Sequence, residues 1–145
     1  MNRQDARVAR IANGIPREPG VEIDCLAGGV IEAALEVHAN LGPGFSEGVY
    51  ERALGMELTL RGIPFVSQAP LAVSYKGNLV GEVRLDMLVA DCLVVELKAV
   101  EALNSLHVAQ AVSYLKATAL PLALLINFNT RLLLRGVRRV VLTNH

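Results

Sequence analysis

Asp86, Glu96 and Lys98 are the residues of this sequence whose types and spacing best suit them to act together. They lie in two short segments that alternate. Val83, Leu85, Met87 and Val89 are apolar and odd-numbered, while Arg84 and Asp86 are even. Leu93, Val95, Leu97 and Ala99 repeat the pattern, with Glu96 and Lys98 at even positions. Side chains on a strand alternate faces with period two, so each segment reads as a strand with one apolar face and one charged face. An antiparallel hairpin matches those faces only if its loop has an odd number of residues. A two-residue loop at Ala90-Asp91 would turn Asp86 away from Glu96. The expectation is an odd loop near Ala90–Cys92, with Asp86 roughly across from Glu96 and Lys98 on the same side.

Two carboxylates and an ammonium flanked by apolar residues are costly to bury, and facing solvent they would be ordinary, weakly paired surface charges. The chemical alternative is a hard-cation site. Asp86 and Glu96 supply oxygen ligands for Mg²⁺ (or Mn²⁺), which keeps several waters, and Lys98 orients or deprotonates a water. That arrangement suits hydrolysis of a phosphodiester, because the ion stabilises charge on the oxygens. Arg84 shares the polar face and could hold a phosphate or neutralise Glu96. The D-x(n)-E-x-K spacing recurs by chance, so the pattern alone does not choose between surface and site.

The surrounding elements must position these residues. From Asp24, a candidate N-cap, to Asn40 the apolar positions Leu26, Val30, Ala33, Ala34, Val37 and Leu41 recur at helical spacing, and Gly42-Pro43-Gly44 ends the run. Ser46 reads as the N-cap of a second helix reaching about Arg61, with Val49, Ala53, Leu54, Met56, Leu58 and Leu60 as its core stripe. Phe65–Gln68 and Leu71–Tyr75 read as extended, with Pro70 marking an edge or irregularity. After the charged hairpin a third helix spans about Asn104 to Thr118, with Leu106, Ala109, Val112 and Leu115 buried. His107, Gln110 and Tyr114 share a stripe beside that face. Leu122–Phe128 is a continuous apolar run, as expected of a strand buried on both faces. Leu132–Leu134 and Val137–Leu142 read as a final strand pair, or a strand and short extension, around Gly136.

Composition sets the frame. A chain of 145 residues, 52% apolar and 19% charged, suits one folded domain. Residues 1–20, with Asn13-Gly14, Pro16 and Pro19-Gly20, read as a loose arm with a short helix around Ala6–Ile11, and residues 21–145 as the domain. No apolar run approaches the roughly 20 residues of a membrane helix, and no export signal is visible. A cytoplasmic address follows as the default. With no export signal, Cys25 and Cys92 are expected to be reduced core residues and not a disulfide, and a zinc site would want more ligands at close spacing. Net charge is zero, yet no acid follows Glu101 while Lys116, Arg131, Arg135, Arg138 and Arg139 do. Such a split can build a basic surface on a neutral protein.

Asp86 followed by Glu96-Leu97-Lys98 resembles the signature of the PD-(D/E)xK nuclease superfamily, with Leu85 in place of the proline. Gly44-Phe45-Ser46-Glu47-Gly48-Val49-Tyr50 resembles the G-x-x-E-x-x-Y motif of the GxxExxY proteins within it. The likeness covers about Asp24 to Leu142. It implies an α/β, restriction-endonuclease-like core: a mixed central sheet, flanked by helices, whose β-hairpin carries the site. It implies that Glu47 faces the metal from a helix, and that Gln110 and Tyr114 form a Q-x-x-x-Y element positioning substrate or water. Tyr50 is expected to be a core aromatic, and His38 and His107 packing or hydrogen-bonding residues. The implied activity is Mg²⁺- or Mn²⁺-dependent cleavage of DNA or RNA. The other reading is a catalytically silent binding or assembly module that retains the fold. A homodimer or protein partner is compatible with either.

Overall fold

Parallel and antiparallel pairing meet in one five-stranded sheet. The computed structural model describes residues 20–142, in the order α1 (Val21–Leu41), α2 (Glu47–Leu60), β1 (Phe65–Tyr75), β2 (Asn78–Val89), β3 (Leu93–Lys98), α3 (Ser105–Thr118), β4 (Leu122–Asn127), a 3₁₀ turn (Leu133–Gly136) and β5 (Val137–Val141). The arm and helix expected before Gly20 lie outside the described residues. The strands follow chain order, β1-β2-β3-β4-β5. Only β3 and β4 are parallel, and that pairing needs a crossover, which α3 provides. The result is the expected mixed α/β architecture.

The sheet is covered on both sides. Met87, Val89, Leu93, Val95, Leu97, Leu122, Leu124 and Ile126 pack with the buried faces of α1 and α2. Val94, Ala123, Leu85 and Leu88 pack with Ala111 and Leu115 of α3. All six residues of β4 are buried, which is why that segment is apolar from Leu122 to Ile126, with only Asn127 polar. Each such Leu, Val or Ile contributes roughly 1.5–3 kcal/mol. The core rests on aliphatic residues as expected, with Tyr50 and Phe128 among its largest buried side chains.

Several sequence expectations need correction. The N-cap of α1 is Gly20, and Asp24 sits in the first turn, where it meets Arg139 Nη2 at 2.6 Å. On α2 the buried residues are Tyr50, Leu54, Gly55 and Leu58, while Met56 and Leu60 are 70% and 79% exposed. At roughly 100° per residue, Met56 and Leu60 lie on the side opposite Leu54 and Leu58. Leu54 and Leu58 are buried as expected and Ala53 packs beside them, but apolar residues surround this helix, so periodicity alone drew the stripe too wide. On α3 the packed set is Val108, Ala111, Val112 and Leu115, and Leu106 and Ala109 are exposed. Leu132–Leu134 is not a strand; the turn that begins at Leu133 buries only Leu133 and Gly136. Neither cysteine is a core residue: Cys25 is exposed and Cys92 half-buried, with no disulfide between them.

The two extended segments before the hairpin form a single edge strand, β1, that runs through Pro70. The odd-numbered apolar face of β2 does not persist along it. Met87 and Val89 pack on the α1–α2 side, but Leu85 and Val83 join the α3 side with Ala69 and Leu71. The switch falls at Gln68, whose φ of 51° interrupts the pleat of β1. The ladder lacks a pair there, between Ser67↔Met87 and Ala69↔Leu85.

Candidate active site

Three residues, Ala90, Asp91 and Cys92, join β2 to β3, the first two in left-handed conformation. The ladder runs Val89↔Leu93, Leu88↔Val94, Met87↔Val95 and then stops. Asp86 and Glu96 are the next facing residues, and their carboxylates replace the ladder bonds. The Asp86 N–H donates to Glu96 Oε1 at 3.0 Å, and the Leu97 N–H donates to Asp86 Oδ2 at 2.8 Å. The acids therefore converge where the strands part. Lys98 follows on the same strand, and its Nζ donates to Gln110 Oε1 at 3.2 Å, which brings α3 to the hairpin.

Glu96 is only 4% exposed. Burial first, and the Asp86 carboxylate second, push its carboxyl up to about 8. A hydrogen bond between the two side chains raises it further, while the Asp86 N–H and the Lys98 ammonium act the other way. At neutral pH the Glu96 carboxyl thus tends to keep its proton, as a buried acid beside another carboxylate does. Tyr114 lies near enough to feel both: burial, then Glu96, then Asp86 raise its hydroxyl above its ordinary value.

Glu47 opens α2 after the N-cap Ser46. With Gly48, Glu51, Gln68, Asp86 and Leu97 it lines a cleft of about 180 Å³. Tyr50 does not join them. Its hydroxyl donates to Gly42 O at 2.6 Å and accepts from the Phe45 N–H at 3.1 Å, and its ring stacks on Phe128 with centroids 4.5 Å apart. Tyr50 thereby anchors the turn that delivers Glu47. His38 Nε2 is 2.7 Å from Thr130 O, and His107 closes a capping box with Asn104. Both histidines are hydrogen-bonding residues, as expected. Arg84 is turned away from Glu96: its guanidinium lies 3.2 Å from Gln68 O and 3.8 Å from Glu82.

Asn127, Glu51 and Gln68 are site-supporting residues that the sequence reading missed. Asn127 is 1% exposed, pairs with Lys98 in the β3–β4 register, and binds both the N–H and the carbonyl of Val100 through its side chain. It fixes the chain as it leaves Lys98. A lone polar residue within Leu122–Phe128 was the available signal. Glu51 stands one helical turn beyond Glu47, a hint of a shared face. Nothing in the local sequence marks Gln68. A larger apolar groove of about 670 Å³ beside Met56, Leu60 and Phe65 shares Glu51 with the cleft but neither carboxylate of the pair.

Residues 24–140 match the family model of the PD-(D/E)XK nuclease superfamily. The chain belongs to that superfamily. No curated protein and no solved structure matches it. The mixed five-stranded sheet between helices accords with the restriction-endonuclease-like fold of PD-(D/E)XK nucleases, which generally use divalent metals.

The donors of this PD-(D/E)XK domain fit such an ion. Both acids are oxygen donors of the kind hard cations take, and a buried Glu96 carboxyl raised by the Asp86 carboxylate beside it is a place where a cation relieves repulsion. Among the described residues no three His, Cys, Asp or Glu side chains gather into a metal-holding group. Asp86 and Glu96 would hold the ion as a pair, with water filling the remaining positions. No described helix is long and apolar enough to cross a membrane.

Proposed function

We propose that this domain, a GxxExxY protein acting in the cytoplasm, hydrolyses phosphodiester bonds of DNA or RNA. Asp86 and Glu96 bind Mg²⁺ or Mn²⁺. The ion supplies charge stabilisation to the phosphoryl oxygens. Lys98, held by Gln110, orients the attacking water and carries positive charge beside the scissile phosphate. As the water oxygen bonds to phosphorus its proton passes to solvent, the bond to the leaving oxygen breaks, and that oxygen takes a proton from solvent. Tyr114, beside the carboxylates, contacts substrate, and Glu47 supports the site from across the cleft. The observation that carries this reading is the convergence of the two hairpin carboxylates, with Lys98 following on the same strand.

Nucleic acid as substrate is supported by the exposed cations of the acid-poor C-terminal part. Arg131 and Arg135 are exposed in the segment that follows Asn127, the residue paired with Lys98, and Arg138 is exposed on the edge strand β5. Arg84 adds an exposed cation on the outer part of β2.

The test is cleavage of plasmid, single-stranded DNA and RNA with Mg²⁺ or Mn²⁺, beside Asp86→Ala and Lys98→Ala. Each substitution is expected to lower the rate at least about hundredfold, the usual effect of removing a positioned acid–base group. Cleavage that survives both removes the proposal. Failure of the parent chain to bind Mn²⁺ would favour the silent binding or assembly module instead.

A further inference from the structure

Gln68 occupies the place on β1 that faces Asp86, where the β1–β2 ladder lacks a pair. Its φ of 51° is left-handed in the middle of a strand, a conformation that residues with a Cβ adopt only when their surroundings enforce it. The enforcing contacts are visible. The side-chain amide donates to Glu51 Oε1 at 2.6 Å, and Arg84 Nη1 donates to the Gln68 carbonyl at 3.2 Å. Glu47, Glu51, Gln68 and Asp86 line one cleft. The strand residue beside the acid thus leaves the pleat and ties β1 to the helix that carries Glu47.

We propose that Gln68 is a positioning residue. Its hydrogen bond to Glu51 holds the first two turns of α2 at a fixed separation from Asp86, and so sets the geometry in which Asp86 and Glu96 take a divalent cation. This role rests on the metal-dependent reading above. It also accounts for Arg84, whose guanidinium holds the Gln68 backbone. Gln68 touches neither substrate nor ion; it acts through Glu51 and the helix.

The experiment measures Mn²⁺ affinity by calorimetry on the full chain, with thermal midpoints recorded in parallel. Gln68→Gly suits the left-handed backbone and removes only the side chain. Its thermal midpoint is expected to match or exceed that of the parent, while Mn²⁺ affinity falls about tenfold, the usual scale for loss of a group that orients metal ligands. Glu51→Leu should lose a similar factor, and Glu51→Gln, which keeps an acceptor for the amide, should stay within about threefold of the parent. Because the two side chains act through one bond, the double variant should lose about tenfold and not a hundredfold. Unchanged affinity in Gln68→Gly overturns the proposal, as do multiplying losses in the double variant. A loss in Glu51→Gln as large as in Glu51→Leu overturns it too, because Glu51 would then act by charge. A parent that binds no Mn²⁺ sinks the metal reading together with this one, whereas a binding parent with an indifferent Gln68→Gly sinks this one alone.

Discussion

Glu96→Gln should make the metal-free protein more stable at alkaline pH and flatten its pH dependence. In the folded chain the Glu96 carboxyl is raised from 4.5 to about 8. Between those values the folded protein binds more protons than the unfolded chain, so stability falls as pH rises through the window. At 1.36 kcal/mol for each tenfold change in acidity, the full displacement corresponds to about 5 kcal/mol. Relaxation of the cleft and entry of water absorb part of it, leaving a loss of about 2 kcal/mol. For a domain of this size that lowers the thermal midpoint by about 5–10 °C. Glutamine keeps an oxygen for the Asp86 N–H, 3.0 Å away in the parent, and has no carboxyl to ionise. Urea unfolding with a chelator present, between about pH 5 and pH 8.5, should show the decline in the parent and little of it in Glu96→Gln. Mn²⁺ should restore the parent at the alkaline end, since it binds the ionised pair. Stability that rises with pH across this window, or an equal decline in both proteins, would refute the buried, proton-holding Glu96 carboxyl.

Other substitutions probe the frame around the pair. Asn127→Leu should cost about 2–3 kcal/mol in urea unfolding and loosen the chain after Lys98, because it strands the Val100 and Asn129 N–H groups and leaves the Val100 carbonyl only its longer bond from Asn129. Tyr50→Phe should cost about 1–2 kcal/mol, measured the same way, since the hydroxyl bridges Gly42 O and the Phe45 N–H within the turn before Glu47. Gly136→Ala should destabilise by about 1–3 kcal/mol, because an added Cβ would run into the Asn127 carbonyl. Arg139→Ala breaks only an exposed pair with Asp24 and should change stability by less than about 1 kcal/mol.

The hairpin is legible in the residue pattern itself. Period-two alternation on both sides of Ala90–Cys92 requires an odd loop, and the loop has three residues. That parity alone places Asp86 across from Glu96. The buried run Leu122–Phe128 and the end of α1 at Gly42 are equally plain, since glycine at a φ of 69° and a segment apolar at all but Asn127 each leave a local signature. Met56 and Leu60 show where such signals fail: when apolar residues encircle a helix, only the neighbours decide which side is buried, and here Phe65 packs on Gly55 instead.

What the sequence determined by itself is therefore the chemistry's raw material: which residue types stand at which strand parity, and hence that two acids share one face. What only the tertiary structure decided is their condition and company. Glu96 is buried, with Tyr114 of α3 near it, a consequence of contacts far apart in the chain. Gln110 reaches Lys98 across 12 positions of sequence, and Gln68 reaches Glu51 across 17. Local propensity cannot encode such meetings, since they depend on how helices and sheet settle against one another once all their apolar faces compete for the same core.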